Sequence, residues 1–143
     1  GKALCSQCHT VNNMMMRQNN AVVFSNFTYH NIGVPKNTEF PFDQQPVDQV
    51  DNGLGAAVGN ANYNGMFKTP HLRNIDKTAP YMHNGFLKSL KEVVHFYNTR
   101  DVAGLWPAPE VSSNLETRLV GDLGLTDAEE DAIVAFMKTL TDR

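Results

Sequence analysis

Two thiols and an imidazole stand within five residues near the start of the chain, in Cys5-Ser6-Gln7-Cys8-His9, and no other cysteine occurs in the 143 residues. This spacing suits three kinds of chemistry. A structural zinc site needs four ligands, usually with a second Cys or His pair at short spacing, and His30, His71, His83 and His95 are too dispersed to make such a pair. A dithiol redox centre sits where a strand leads into a helix, and no alternating or β-branched run precedes Cys5. In the third chemistry, the two thiols add to the vinyl groups of a haem and the adjacent histidine coordinates its iron. The thioethers fix the porphyrin edge against one turn and hold His9 under the metal. The motif favours this covalent haem c reading over zinc, a redox dithiol or a plain disulfide.

The rest of the chain must position that turn. Its length suits one domain spanning residues 1 to 143 with one centre of chemistry. A formal net charge of -3 with scattered basic residues gives no footprint for nucleic acid. No apolar run approaches the roughly 20 residues that cross a bilayer, and no signal peptide is visible, so a soluble chain is expected. Gly1-Lys2-Ala3-Leu4 reads as the tail of a helix whose beginning is absent, so Gly1 is not expected to be the biological start.

The coarse map is helices joined by long loops. Thr126 and Glu129 form a capping box ahead of a helix over residues 127 to 141. Acids Asp127, Glu129, Glu130 and Asp131 stand at its start, Lys138 and Arg143 at its end, and Ile133, Met137 and Leu140 on one face. A second box, Ser89 to Glu92, starts a helix with Leu90, Val94 and Tyr97 on one side. Residues 67 to 74 contain too many breakers for regular structure and read as an extended connector. Residues 31 to 64, rich in Asn, Asp, Gly, Pro and Gln, carry few element signals. A structureless loop of that length argues against a compact domain, unless it wraps a large apolar cofactor.

Five segments, in order, carry a family resemblance: CSQCH, YHNIGVP (Tyr29 to Pro35), GMFKTPHLRNIDKTAPYMHNGF (Gly65 to Phe86), SLKEVVHFYN (Ser89 to Asn98) and LGLTDAEEDAIVAFMKTL (Leu123 to Leu140). Together they resemble the C-terminal haem domain of the bacterial di-haem cytochrome c peroxidase and MauG family. The chain departs from that pattern at His71, where Thr or Ser is usual, at Asn84, where Asp is common, and in having no second CxxCH motif. The resemblance implies an all-α, cytochrome c-like domain with long loops around one covalent haem, working beside a second haem domain.

It also implies roles. Cys5 and Cys8 become thioether anchors and His9 the proximal iron ligand. In peroxidase members the distal ligand is a methionine fourteen residues after the histidine of the TAPYMHxG-like segment; the same count from His83 reaches Tyr97, and MauG-like members have tyrosine there. Tyr97 is thus the first choice, against its alternative as a core aromatic of an amphipathic helix. Met82 is the chief rival, since a thioether ligand suits electron-transfer cytochromes. Met66 is a weaker one, Met137 fits a core role, the Met14-Met15-Met16 run is too near the anchor, and His95 faces elsewhere on the helix.

Thr78 and Pro80 are candidate backbone ligands for a calcium ion held between haem domains. Arg73 is a candidate partner for a haem propionate. His83 could lie near the inter-haem region or serve structurally, and Trp106 fits packing of a Pro-rich loop better than electron hopping. The Asn26-Phe27-Thr28 sequon has no meaning in a bacterial periplasm, where the resemblance places the chain.

Two functions from different classes follow. The first is one haem domain of a periplasmic peroxidase-type oxidoreductase, passing electrons from a small cytochrome or cupredoxin to a second haem that reduces hydrogen peroxide, with homodimers common in the family. A MauG-like oxidation of a protein substrate belongs with it. The second is a stand-alone mono-haem electron carrier.

Overall fold

The computed structural model describes residues 2–11 and 22–142; the Met14-Met15-Met16 run lies outside them. The described elements are a two-stranded antiparallel sheet, β1 (Tyr29–His30) with β2 (Phe67–Lys68), and three helices, α1 (Leu54–Val58), α2 (Leu90–Thr99) and α3 (Asp127–Lys138). Short 3₁₀ turns occur at Cys5–Gln7, Phe42–Gln44, Ala61–Tyr63 and Ile75–Lys77. Long connections join these elements, as the breaker-rich sequence predicts, and a small sheet is added to the helical plan.

Both capping boxes form. Glu92 N–H donates to Ser89 Oγ at 3.2 Å while Ser89 N–H donates to the Glu92 carboxylate at 3.0 Å. At α3, Glu129 N–H donates to Thr126 Oγ1 at 3.3 Å and Thr126 N–H to the Glu129 carboxylate at 2.8 Å. Each cap satisfies orphan donors and contributes about 1 kcal/mol. Helix α3 ends at Lys138, short of the expected residue 141, because Thr139 N–H and Leu140 N–H bond back only three residues, to Phe136 and Met137, and tighten the last turn.

Two other expectations change. Lys2 to Leu4 are irregular and not the tail of a helix. The connector over residues 67 to 74 begins as β2, with Tyr29 opposite Lys68 and His30 opposite Phe67. Its line continues through Thr69 N–H to Thr28 O at 2.8 Å and Leu72 N–H to Val23 O at 3.1 Å. Pro70 supplies no N–H, so the regular ladder stops there.

Side-chain amides hold the long segment over residues 31 to 64, which is not structureless but carries α1 and two of the 3₁₀ turns. Buried Asn31 donates to Val111 O and Ser113 O, Asn37 donates to Asn84 O, and Asn84 donates back to Pro35 O. A buried amide left unpaired costs roughly 1–3 kcal/mol, so these asparagines fix the loop's path and are not merely turn formers. Arg100, at the end of α2, does similar work. Its buried guanidinium pairs with Asp101 and donates to the carbonyls of Ile32, Glu116 and Val120.

Helices α2 and α3 pack together. The core around them contains Val34, Tyr81, Leu87, Leu90, Val94, Phe96 and Met137, with Phe96 fully buried. Burying such an aromatic stabilises the fold by roughly 2–3 kcal/mol.

Candidate functional site

Beside this core lies a cavity of about 520 Å³, within the size range of cofactor pockets. The Cys5–His9 turn forms one part of its wall, with Cys5, Cys8 and His9 all in the lining. His9 N–H and Cys8 N–H both bond to Cys5 O, at 2.8 and 3.2 Å, so one tight turn carries both sulfurs and the imidazole. Leu90, Val93, Val94 and Tyr97 of α2, and Ile133 and Met137 of α3, supply apolar lining. The periodicity read from the sequence therefore points at this cavity.

His9 is oriented by the backbone. Its Nδ1 donates to Phe24 O at 2.8 Å, which leaves Nε2 without a partner among the described residues. Phe24 has a left-handed backbone, φ 55°, and Asn26 N–H holds the same segment to Cys8 O at 2.8 Å. Burial holds the imidazole below its ordinary pKa, although the Phe24 hydrogen bond opposes the shift. A neutral imidazole with Nδ1 fixed by a carbonyl is the usual form of a metal-ligating histidine.

The thiols do not resemble a redox dithiol. Both are free, and desolvation pushes both above the ordinary thiol value, with Glu116 and Cys5 adding to the rise at Cys8. Reactive Cys-x-x-Cys pairs need a depressed thiol. No group of three or more metal-ligating side chains occurs among the described residues, which argues against zinc.

Tyr97 and Met82 both line the cavity. Burial, then the nearby Cys8 and Cys5, push the Tyr97 phenol well above its usual pKa, and its hydroxyl has no hydrogen-bond partner among the described residues. Met82 adopts a left-handed backbone, φ 73°, which costs a non-glycine residue roughly 1–2 kcal/mol. Met137 lines the cavity from α3, whereas Met66 does not line it. His95 is turned to α3, where its Nδ1 lies 3.0 Å from Glu130 Oε1.

Thr78 and Pro80 also line the cavity, and neither carbonyl oxygen accepts a hydrogen bond among the described residues. Arg73 is placed elsewhere. It pairs with Asp142 near the chain end and is not in the lining; among the described residues Lys68 is the only Lys or Arg that is. His83 lines the cavity too, stacked on Phe67 with ring centroids 3.6 Å apart and Nε2 3.9 Å from Glu110 Oε2. Trp106 packs edge-on against Phe96 at 5.2 Å and donates to Thr99 Oγ1 at 3.0 Å, a packing role.

Sequence reasoning missed three features. Phe24 acts through its carbonyl, which no side-chain pattern reveals. His30 lines the cavity with Nε2 2.8 Å from Thr28 Oγ1 and 3.5 Å from Cys8 Sγ. Glu130 is not a solvated first-turn acid: it is 1% exposed and accepts from Asn98 at 2.7 Å. Its spacing to Ile133 and Met137 was the available signal, since all three fall on one helical face.

An apolar cavity whose wall carries two thiols on one turn, a metal-ready imidazole and an unpartnered phenol fits the class of c-type haem proteins. No protein-family model matches the chain, but individual relatives do. MauG of Paracoccus denitrificans is 40% identical over 156 aligned residues, covering 97% of this chain and 39% of that protein. The cytochrome c peroxidase IdrP1 of Denitromonas iodatirespirans is 32% identical, covering 99% and 38%. Among solved structures, a tyrosine-to-methionine variant of the dihaem peroxidase BthA from Burkholderia thailandensis superposes with a TM-score of 0.78 at 30% identity, covering 96% of this chain and 38% of that one. The chain belongs to the MauG and dihaem cytochrome c peroxidase family. It spans about two fifths of the length of these relatives. IdrP1 and BthA are named as peroxidases, an oxidoreductase activity, and kinship with them and with MauG implies haem c as the cofactor. No helix among the described residues is long and apolar enough to cross a membrane.

Proposed function

We propose that this chain is a haem c domain, all-α in its essentials, of a periplasmic dihaem peroxidase or MauG-like oxidoreductase. In this reading Cys5 and Cys8 hold the haem by thioethers, His9 is the proximal ligand and Tyr97 the distal one. The observation that carries it is the shared cavity: His9, with Nδ1 committed to Phe24, and Tyr97, with its hydroxyl uncommitted, line one apolar space beside both sulfurs.

When bound, haem c supplies a one-electron couple at its iron. The chain's own residues bind and insulate it. Val34, Val94, Ile133 and Met137 exclude water from the cavity, Asn31 pins the covering loop, and the Phe24 carbonyl keeps the His9 lone pair aimed inward. If His9 and Tyr97 both held the haem iron, no position would be left for peroxide, and this domain would relay electrons rather than take up peroxide itself. A small cytochrome or cupredoxin gives the electrons, and a second haem domain reduces hydrogen peroxide or oxidises a protein substrate. The carbonyls of Thr78 and Pro80 suit a calcium ion, with the remaining ligands from outside these residues, and the whole protein is expected to form homodimers.

Met82 carries the second reading of the distal site, because it lines the same cavity. A phenolate favours ferric iron and a methionine sulfur favours ferrous iron, so the choice separates MauG-like oxidation from a higher-potential relay. A stand-alone mono-haem carrier is the alternative for the whole chain. The deciding experiment is the denatured intact mass of the protein from its native source, with a haem count per chain. A chain more than twice this length with two haems supports the proposal; a chain of this length with one haem favours the carrier.

A further inference from the structure

The anchor turn carries two sulfurs in different surroundings. Cys8 Sγ lies 3.5 Å from Nε2 of His30, whereas Cys5 Sγ has no hydrogen-bond partner among the described residues. The same Nε2 is 2.8 Å from Thr28 Oγ1, and Cys8 and His30 both line the cavity. The imidazole therefore sits between a hydroxyl that steadies it and one of the two anchoring sulfurs.

Contacts on two sides fix that imidazole against the turn. Asn26 N–H donates to Cys8 O at 2.8 Å and Asn26 Nδ2 to Gln7 O at 3.1 Å, while Asn26 Oδ1 accepts from Thr28 N–H at 3.0 Å. On the other side β1 pairs with β2, placing His30 opposite Phe67, and Thr28 O accepts from Thr69 N–H at 2.8 Å. The strand period of two turns His30 to the cavity and leaves its neighbour Tyr29 42% exposed, outside the lining. A histidine already ordered in this way gives up little further freedom when it contacts the sulfur.

We infer that His30 is a positioning residue for cofactor attachment: its imidazole steers Cys8 Sγ for thioether formation and then remains as a hydrogen-bond donor to that sulfur. The inference rests on the haem reading above. In the attachment the Cys8 S–H bond and the π bond of a haem vinyl group break. A sulfur–carbon bond forms at the vinyl carbon next to the ring, and the hydrogen ends on the outer carbon, so nothing is oxidised or reduced. The thiol can share either hydrogen with Nε2, but a thioether sulfur carries none and only accepts, so the finished contact requires Nε2–H. A cysteine side chain has one torsion with staggered wells, and one net hydrogen bond shifts the balance among them about fivefold. Aligning a reacting group in this way speeds the step. The effect is specific to one sulfur: Cys8 depends on His30, and Cys5 does not.

The test uses the full-length holoprotein from its native host, as wild type, His30→Phe, His30→Gln, Thr28→Val and Tyr29→Phe. Each is denatured, alkylated and digested, and mass spectrometry compares alkylated Cys8 with alkylated Cys5 in the anchor peptide. His30→Phe is expected to raise the alkylated fraction of Cys8 at least about fivefold over wild type while Cys5 stays attached. Its ferrous pyridine absorption band should move to longer wavelength, because a vinyl group left unreacted extends the conjugation of the ring. His30→Gln, whose amide retains a donor at similar reach, is expected to restore attachment. Thr28→Val, which removes only the steadying hydroxyl, should free Cys8 by a smaller factor, and Tyr29→Phe on the other face should free neither sulfur. The inference is overturned if His30→Phe carries both thioethers like wild type, if Cys5 is freed as often as Cys8, or if His30→Gln behaves like His30→Phe. Where His30→Phe yields no holoprotein, Thr28→Val decides, and complete attachment there overturns the inference. A haem-free anchor peptide in the wild type would remove the proposed function itself; two thioethers in the wild type and in every variant would remove only this inference.

Discussion

Phe24 O accepts a 2.8 Å hydrogen bond from Nδ1 of His9, and this contact decides which imidazole nitrogen faces the cavity. The opposite ligand then decides the electronic character of the site. In the full-length holoprotein, Tyr97→Phe is expected to move the ferric optical spectrum toward high spin, while Met82→Leu leaves it unchanged. The reverse pattern would assign Met82 as the ligand. Neither change touches Cys5 or Cys8, so the proposed covalent attachment is expected to survive both.

Glu130 ties α3 to α2 from inside the core. Burial alone would raise its carboxyl pKa, but hydrogen bonds from Asn98, His95 and Lys91 outweigh burial and hold it below the ordinary carboxylate range. A carboxylate depressed by folding adds stability above its unfolded pKa, about 4.3, and loses it as pH falls through the lower folded value. Glu130→Gln is therefore expected to cost about 1–3 kcal/mol near pH 7. The gap to wild type should close below about pH 4. Urea unfolding at several pH values reads both; a pH-independent gap would contradict the account.

Arg100 binds three loop carbonyls that line or support the cavity wall. Arg100→Ala leaves those carbonyls and part of Asp101 without their donor and is expected to destabilise the fold by about 3–5 kcal/mol. Arg100→Lys should rescue little, because one ammonium cannot reproduce a planar five-donor fork. Chemical denaturation of the two variants side by side distinguishes a multi-carbonyl clamp from a simple charge pair with Asp101, which Lys would largely restore.

Two glycines, one inside α1 and one capping its C-terminal end, separate crowding from backbone strain. A Cβ at Gly55 would stand 2.1 Å from Asn64 Oδ1 and 2.7 Å from Asn64 N, whereas a Cβ at Gly59, at φ 66°, meets nothing within 4 Å. Gly55→Ala is expected to cost about 1–3 kcal/mol as overpacking. Gly59→Ala should cost roughly 1–2 kcal/mol as left-handed strain alone. Adding a β-branched methyl, Val for Ala, should worsen residue 55 far more than residue 59 in thermal unfolding.

Local signals made the anchor turn, both capped helices and the cavity-facing stripe of α2 legible in the sequence. The spacing of Cys5, Cys8 and His9 places all three on one tight turn in the cavity wall, and Ser89-Glu92 and Thr126-Glu129 fix helix starts within single turns. What stayed hidden depends on distant partners. The Phe24 carbonyl, the hydrogen bonds from Lys36 Nζ to the carbonyls of Pro46, Val47 and Gln49, and the buried setting of Glu130 arise only when separate segments meet. Arg73 shows the same dependence on distant partners: the resemblance suggested a haem propionate for it, and the fold brings Asp142 to it from a distant part of the chain.

The most direct test of the central claim is mass spectrometry of the proteolytic peptide spanning Cys5 to His9 from native holoprotein, after acid-acetone extraction. Covalent attachment predicts a peptide that retains one haem on Cys5 and Cys8 together, with no free thiol to alkylate. A haem-free peptide carrying two alkylatable thiols, or a disulfide, would contradict it.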